Sequence, residues 1–299
     1  MKILLIGDTG QVGRELACSL AATGTLVTTS RAGPDPASPL REALDVADLT
    51  ATERLIRRHA PDVVVNATAY TAVDRAEIEA ELAGQVNARA PAVMAETCAS
   101  VGARLIHFST DYVFDGTGQQ PYRESDETNP LGVYGLTKYA GEEAIRMSAA
   151  DHLILRTAWV FAPHGHNFLR TMLRLAKTHP VLRVVADQTG SPTPADLIAD
   201  VTASLIRTPG TGGTLHLTSS GETSWHGFAL AIMEGAVSHS LLPARPDVVA
   251  IPSSDYPTPA RRPHYSVLDC RRIEAVLGHP LPHWRDGLER TLGRLVTFG

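Results

Sequence analysis

The sequence has few cysteines, no long apolar run and no excess of positive charge. Its three cysteines, Cys18, Cys98 and Cys270, are odd in number, far apart and without a CxxC pair. This usage argues against a disulfide or zinc framework and is expected in a reducing cytoplasm. The first apolar run ends at Asp8, too early for a signal peptide or a membrane span. The net charge is −5 and no arginine-rich run is present, so nucleic acid is not an expected partner.

A glycine-containing turn follows the first strand-like segment, residues 3–6. Gly7, Gly10 and Gly13 are spaced three apart, and a helical pattern comes directly after them. In such a motif the first glycine allows a tight turn, the second lets backbone approach a pyrophosphate, and the third allows close helix packing. The free N–H groups at the start of the helix then face the phosphates. The sequence therefore predicts a dinucleotide site at this turn.

The second strand-like segment, residues 25–33, should end near the ribose of the adenosine. NAD sites usually place a carboxylate there to bind the free 2′-hydroxyl. Here the strand ends in Ser30 and Arg31, and no carboxylate follows before Asp35. Because a guanidinium and a hydroxyl can bind a 2′-phosphate, we predict NADPH as the cofactor, with NADH tolerated.

A tyrosine and a lysine four residues apart give the strongest sign of chemistry. Tyr134 and Lys138 lie in a helix-like segment, and this spacing places both on one helical face. A phenol has a pKa of about 10, and a nearby ammonium favours its ionised form, so the pair can pass a proton. Ser109 and Thr110 end a strand-like run, residues 103–110, and their hydroxyls should lie at the sheet edge where α/β proteins bind ligands.

Strand-like and helix-like segments alternate up to Trp159, and 43% of the 299 residues are hydrophobic. This pattern predicts an α/β fold with a Rossmann-type, doubly wound parallel sheet. Beyond Trp159, prolines and glycines interrupt the pattern. We therefore predict an NAD(P)-binding domain over residues 1–162, a smaller C-terminal substrate domain over 163–299, and a strand near 214–218 that returns to the main sheet.

Seven motifs run in order over nearly the whole chain, which is more specific than any one of them. Together they resemble the extended short-chain dehydrogenase/reductase superfamily and, within it, the dTDP-4-dehydrorhamnose reductase family. The motifs are GDTGQVGRE (7–15), VVNATAYTAVDRAE (64–77), FSTDYVFDG (108–116), NPLGVYGLTKYAGE (129–142), RTAWVF (156–161), DQTGSPT (187–193) and YPTPARRP (256–263).

The resemblance implies a role for each matching residue. Tyr134 would donate the proton, Lys138 would assist it, and Thr110 would orient the C4 carbonyl. Substrate contacts would come from Asp111, Trp159 and Asn167, and we add Arg262 because a guanidinium can pair with a diphosphate. The remaining implied cofactor contacts are Gly10, Gln11 and Val12 at the pyrophosphate, Asp45 and Val46 at the adenine, and Ala67, Thr68, Ala69 and Tyr70 at the ribose and nicotinamide.

The implied reaction is hydride transfer from NADPH to C4 of a dTDP-4-keto-6-deoxy-L-hexose, which yields dTDP-L-rhamnose in the last step of its biosynthesis. A related 4,6-dehydratase would carry an Asp-Glu pair after the threonine, whereas Thr110 is followed by Asp111 and Tyr112. Two alternatives stay open. One is a ketoreductase for another dTDP-deoxysugar, and the other is a non-catalytic, NADP-binding regulatory subunit.

The family also links magnesium to carboxylates at a dimer contact, so the resemblance allows a homodimer. Glu15 and Asp196 match two such positions, but the third carboxylate is replaced near Arg294. We therefore predict no metal site, with Glu15 favoured instead by the dipole of the first helical turn. The sequence also departs from the family at Thr68 and Tyr70, where alanine and histidine are common.

Other polar residues have plainer interpretations. His164 and His166 form an HxH pair without a third ligand, so we interpret them as part of an ordinary loop at the edge of the site. Glu142 and Glu143 follow the lysine on the same helix, and we predict that they are solvated or capping-type charges and not acid catalysts.

Overall fold

The computed structural model describes residues 1–35, 38, 40–208 and 210–298. The strands are β1 (Lys2–Ile6), β2 (Thr25–Ser30), β3 (Arg41–Ala43), β4 (Val63–Asn66), β5 (Arg104–Thr110), β6 (His152–Thr157), β7 (Val160–Phe161), β8 (Val181–Val185), β9 (Thr189–Gly190), β10 (Thr193–Pro194), β11 (Gly213–His216), β12 (Thr223–Ser224) and β13 (Asp247–Ile251). The helices are α1 (Gln11–Leu20), α2 (Leu49–His59), α3 (Val73–Ala76), α4 (Ala80–Gly84), α5 (Ala90–Val101), α6 (Val133–Met147), α7 (Phe168–Ala176), α8 (Ala195–Ile206), α9 (Trp225–Ser238), α10 (Arg271–Leu277) and α11 (Trp284–Phe298).

Seven strands form one parallel sheet in the order β11-β6-β5-β4-β1-β2-β3. Its inner strands are buried on both faces, which explains why β4 reads VVVN without polar alternation. Leu4 of β1 pairs with Val27 of β2 on one side and with Val64 of β4 on the other. The strand order therefore reverses at β1, with β2 and β3 on one side and β4, β5, β6 and β11 on the other. The crevice at such a reversal is the usual ligand site of parallel α/β sheets.

Helices cover both faces of the sheet, which confirms the predicted doubly wound α/β fold. On one face α1 and α8 enclose a core that includes Leu16 and Ile198. On the other face α2, α5 and α6 pack around Ile56, Met94 and Ile145. Burial of such side chains stabilises the layers by roughly 1.5–3 kcal/mol each.

A third core lies among the C-terminal elements α7, α9, α11 and β8, around side chains such as Phe228 and Leu292. The edge strand β11 belongs to the main sheet, where its residue Leu215 pairs with Leu155 of β6. The division of the chain at residue 162 stays a prediction. Among the described residues, no helix has both the length and the apolar character needed to cross a membrane.

Helices α1 and α5 carry a glycine and a proline, respectively, in their first turn. Helix α5 begins at Ala90 after one wide π-type turn, Gln85–Arg89. Pro91 is the second residue of α5 and has no backbone N–H. It therefore cannot donate the ordinary helical hydrogen bond to the residue four positions before it. Helix α1 begins at Gln11 and therefore includes Gly13.

Candidate active site

The glycine turn between β1 and α1 has the geometry that its spacing predicts. Gly7 has a φ of +93°, a conformation that other residues rarely adopt. A Cβ at Gly13 would lie 1.9 Å from the carbonyl oxygen of Gly7, so the helix can approach the strand only with glycine there. A Cβ at Gly10 would lie 3.8 Å from the carbonyl oxygen of Gly7, an ordinary van der Waals distance, so the fold itself does not require glycine at this position.

A cleft of about 550 Å³ lies beside this turn, at the carboxyl ends of β1, β2 and β4. Most of the predicted cofactor residues line it: Gly7, Gly10, Ser30, Arg31, Asp45, Val46, Ala67, Thr68, Ala69 and Tyr70. Gln11, Val12 and Gly13 follow in the first turn of α1, whose leading N–H groups have no intrahelical acceptors. Arg31 is exposed next to the buried Ser30, and the Tyr70 hydroxyl donates a hydrogen bond to Glu79 at 2.5 Å. An extended, phosphate-bearing dinucleotide fits this lining.

Tyr134 stands in the first turn of α6, with its hydroxyl in hydrogen-bonding contact with Thr110 at the end of β5. Burial raises the pKa of Tyr134 to about 12, although the contact with Thr110 opposes the rise. Its ring meets that of Tyr112 edge to face, with centroids 5.6 Å apart. The phenol is therefore protonated at neutral pH and is placed to give its proton to a ligand at the strand end.

Asp111 follows Thr110 and is almost completely buried. Its Oδ1 accepts a hydrogen bond from the Thr110 hydroxyl at 3.0 Å, and the side chain of Ser266 also interacts with the carboxylate. Burial raises the pKa of Asp111 to about 6, since water is withdrawn from the charged form. A buried carboxylate beside Tyr134 is a candidate acceptor for a substrate hydroxyl.

Lys138 lies one turn beyond Tyr134 on α6 and is fully buried. Its Nζ donates to the carbonyl oxygen of Phe108 at 2.6 Å and lies 3.1 Å from Nε2 of His107. Burial lowers the pKa of Lys138 to about 8, and the negative charge of Glu142 opposes this effect. The partner His107 was missed in the sequence, where it reads as one residue of an apolar strand.

Glu142 is not the solvated or capping-type charge that the sequence predicts. It is fully buried, and its carboxylate accepts hydrogen bonds from Arg156 of β6 at 2.7 and 2.9 Å. Burial raises the pKa of Glu142, but hydrogen bonds and charge from Arg156 outweigh burial and hold the pKa below its ordinary value. The prediction failed because a buried arginine on a neighbouring strand cannot be paired with a helix residue from spacing alone. Glu143 does lie near the surface, paired with Arg146.

The predicted substrate residues lie around the same strand ends, and each already makes contacts with other residues of the protein. Trp159 is half-buried, has a left-handed φ of +47°, and stacks on Trp225 with centroids 3.5 Å apart. Arg262 pairs with Asp74 at 2.8 Å. Asn167 is buried as the N-cap of α7, where it accepts from the Arg170 N–H and donates to Gln11. Substrate contacts by these three residues stay predictions.

The carboxylates considered for magnesium are already bound by cations of the chain itself. Glu15 lies beyond the first turn of α1, so the expected dipole explanation is wrong; instead Arg294 and His164 contact it, both at 2.8 Å. The Arg294 guanidinium also lies 3.9 Å from Asp196. The described residues contain no cluster of three or more potential metal ligands. A divalent ion does not fit here, because a guanidinium occupies the position between the two carboxylates.

A nucleotide cleft at the strand ends, with a Tyr-x-x-x-Lys helix beside it, is the arrangement of the extended short-chain dehydrogenases/reductases. A family model described as the RmlD substrate binding domain matches residues 1–297. The dTDP-4-dehydrorhamnose reductase of Escherichia coli strain K12 is 45% identical over 99% of this chain and 99% of its own length. The chain therefore belongs to the dTDP-4-dehydrorhamnose reductase family, as its motifs predict.

Solved structures agree with this assignment. The crystal structure of a dTDP-4-dehydrorhamnose reductase from Clostridium acetobutylicum superposes with a TM-score of 0.90 at 35% identity, covering 99% of both chains. A second, from Bacillus anthracis in complex with NADP, gives a TM-score of 0.88 at 30% identity over 98% of this chain and 99% of that one.

Proposed function

We propose that this chain uses NADPH to reduce the C4 ketone of dTDP-4-dehydro-6-deoxy-L-mannose to dTDP-L-rhamnose, the last step of dTDP-L-rhamnose biosynthesis. The observation that carries the proposal is the contact between the Tyr134 hydroxyl and Thr110 beside the dinucleotide cleft. A protonated phenol at this edge serves ketone reduction directly, since the oxygen gains a proton as the carbon gains a hydride. The names of the relatives, and the NADP bound to the B. anthracis protein, support the substrate and the cofactor.

The cofactor would lie along the cleft, with its pyrophosphate over Gly10 and the start of α1. NADPH supplies the hydride when bound. Ser30 and Arg31 at the end of β2 would hold the 2′-phosphate, because a guanidinium and a hydroxyl make charge-assisted contacts with phosphate oxygens. Asp45 and Val46 would border the adenine, while the segment 67–70 would border the ribose and nicotinamide.

The chain's own residues would move the proton. Tyr134 delivers its proton to the substrate oxygen, and Thr110 donates a hydrogen bond to the same oxygen as negative charge develops. Lys138 then returns a proton to the phenolate. Asp111, Trp159, Asn167 and Arg262 are proposed to hold the sugar nucleotide, with Arg262 at the diphosphate.

We also propose a homodimer in the cytoplasm. The family resemblance supports the dimer, and light scattering of the purified protein would measure its mass. Free thiols support a reducing compartment: among the described residues Cys98 is buried, and burial raises its pKa to about 12, which keeps it unreactive.

The deciding experiment is an assay of the purified protein with dTDP-6-deoxy-L-lyxo-4-hexulose and NADPH, followed by NMR of the product. We expect stoichiometric oxidation of NADPH and the proton couplings of an L-rhamnosyl nucleotide. Turnover only with other dTDP-4-keto sugars would identify a sister ketoreductase. Binding of NADPH without turnover of any ketone would identify a regulatory subunit, and either result would overturn the proposal.

A further inference from the structure

Three fully buried polar side chains form a continuous chain below the cleft. Asn66 ends β4, His107 lies on the adjacent strand β5, and Lys138 lies on α6. The Asn66 side chain is 3.0 Å from Nδ1 of His107, and Nε2 of the same imidazole is 3.1 Å from Nζ of Lys138. Since buried polar groups are expensive to leave unpaired, the direction of each hydrogen bond in such a chain is constrained by its neighbours.

The contacts between Thr68 and the Asn66 side chain fix the direction of these hydrogen bonds. The backbone N–H of Thr68 points at Oδ1 of Asn66 from 3.0 Å, and the Thr68 hydroxyl donates to the same oxygen at 2.6 Å. A backbone N–H can only donate, so the atom it contacts must be the oxygen of the Asn66 amide. The amide nitrogen of Asn66 is therefore the atom that faces His107, and Nδ1 of the imidazole must accept from it.

The protonation of the imidazole follows from this orientation. Burial and the charge of Lys138 hold the pKa of His107 well below its ordinary value, so the ring is neutral and carries one hydrogen. With Nδ1 accepting, that hydrogen is on Nε2 and points at Nζ of Lys138. An amine can accept this bond through its lone pair, whereas an ammonium cannot.

Other groups around Lys138 limit this preference without reversing it. Glu142, on the same helix, favours the ammonium, but its carboxylate is shared with Arg156 from β6 and Arg146 from α6. Tyr134 lies one turn before Lys138 on α6, and burial keeps it neutral. The carbonyl of Phe108 accepts from Nζ in either form.

We propose that Asn66 and His107 are positioning residues that set the direction of hydrogen bonding at Lys138 and thereby ease the return of its proton to Tyr134. The proposal rests on the proposed reduction. The substrate oxygen takes the Tyr134 proton, the phenolate takes one proton from Nζ, and the resulting amine accepts the His107 Nε2–H bond. No electron moves beyond the hydride, so the step balances. Thr68 is part of the device, because its hydroxyl and its N–H both orient the Asn66 amide.

The first test needs no substrate, so it stands apart from the proposed function. The protein is labelled with ¹⁵N-histidine, and the imidazole resonances report which nitrogen carries the hydrogen. His107 and His216 are the fully buried histidines among the described residues, and either His107→Gln or His216→Gln assigns the two signals by difference. We expect His107 to be neutral with its hydrogen on Nε2. A hydrogen on Nδ1, or a doubly protonated ring at neutral pH, overturns the proposal.

The second test reverses the direction of the hydrogen bonds that link residue 66, His107 and Lys138. In Asn66→Asp one carboxylate oxygen still accepts from Thr68 and the other now accepts from Nδ1–H, so Nε2 becomes an acceptor for the ammonium. We expect the His107 hydrogen to move to Nδ1. In the pH profile of kcat, the basic limb should rise by about one pH unit. At neutral pH, kcat should fall roughly tenfold, as for one lost charge-assisted hydrogen bond. KM should change little.

Two further variants separate positioning from packing. His107→Gln offers an amide oxygen to Nζ and should also move the basic limb upward. His216→Gln removes an equally buried imidazole from the edge strand β11, where its Nε2 lies 3.5 Å from Arg156, and should leave the limb in place. The proposal is contradicted if the basic limb of the kcat profile is unchanged in both Asn66→Asp and His107→Gln. It is also contradicted if His216→Gln shifts this limb by an equal amount.

Discussion

The guanidinium of Arg294 contacts both oxygens of the Glu15 carboxylate, at 2.8 and 3.1 Å, although the two residues stand near opposite ends of the sequence. The contact ties α11 to the helix that follows the glycine turn. It also supplies, from the chain itself, the positive charge that a buried carboxylate needs.

We expect catalysis to be independent of magnesium. Exhaustive chelation should leave the rate of ketone reduction unchanged, because Arg294 occupies the position between Glu15 and Asp196. Arg294→Met should instead lower the free energy of unfolding by about 1–3 kcal/mol, since Glu15 loses a charged partner. Arg290→Met is the control: its guanidinium is half exposed and 3.6 Å from Asp196, so the loss should stay below about 1 kcal/mol. Urea unfolding measures both. Loss of turnover on chelation, restored only by Mg²⁺, would refute the prediction.

Tyr134→Phe should lower kcat by roughly two to four orders of magnitude, which is the usual contribution of a positioned proton donor. The phenyl ring keeps the edge-to-face contact with Tyr112, so NADPH should bind with unchanged Kd in a fluorescence titration. Tyr139→Phe, on the same helix, removes a hydroxyl outside the site and should keep full activity. Near-normal turnover by Tyr134→Phe would remove this residue from its proposed role.

Arg31→Ala should weaken NADPH binding by roughly ten- to a hundredfold and NADH binding far less, because only NADPH has the 2′-phosphate. Calorimetric titration with both cofactors measures the difference. Arg54→Ala removes an exposed arginine of α2 that does not line the cleft and serves as the charge-matched control. Equal losses for the two cofactors would show that Arg31 does not contact the phosphate.

Asp111→Asn should stabilise the fold at alkaline pH. Burial raises the pKa of Asp111 from 3.8 to about 6, so the folded state binds a proton more tightly than the unfolded state does. The wild-type protein therefore loses stability from this group as pH rises from about 4 through 6, by up to about 3 kcal/mol. The Tm of the variant should exceed that of the wild type above pH 7, and the gap should close near pH 4. A gap that is constant with pH would contradict the assignment of this pKa to Asp111.

Gly13→Ala should destabilise the protein and abolish NADPH binding, because the added methyl group would lie 1.9 Å from the carbonyl oxygen of Gly7. Backbone on both sides must move to relieve such a contact. Gly84→Ala is the matched substitution, since that helical glycine has no atom within 4 Å of a built Cβ. It should be neutral or stabilising by up to about 1 kcal/mol. Thermal melts with and without NADPH distinguish the two variants.

The sequence predicts the fold well where local geometry determines it. Gly7, Gly10 and Gly13 mark a turn whose requirements are steric and local, and apolar runs such as Val63–Asn66 identify strands buried on both faces. Tyr134 and Lys138 could be paired because helical periodicity places residues four apart on one face. These signals depend on neighbours in sequence, which is why they could be interpreted without the structure.

Contacts between distant elements could not be predicted in the same way. Lys138 meets His107 and Glu142 meets Arg156 only because α6 packs on β5 and β6 in one register. A faint signal was present: Lys138 and Glu142 are four apart on a helix, while His107 and Ser109 are two apart on a strand, so each pair shares a face. Choosing which faces meet requires the tertiary structure.

The stacked indoles of Trp159 and Trp225 have an optical consequence. Their planes differ by only 3° and their centroids are 3.5 Å apart, so the two chromophores are close enough to couple electronically. Of the three tryptophans, only Trp284 stands outside this pair, and it is almost completely buried. The near-ultraviolet circular dichroism of the protein should therefore report chiefly on the geometry of one aromatic pair. A sugar nucleotide that shifts Trp159 would change this signal, so its binding could be followed without any added label.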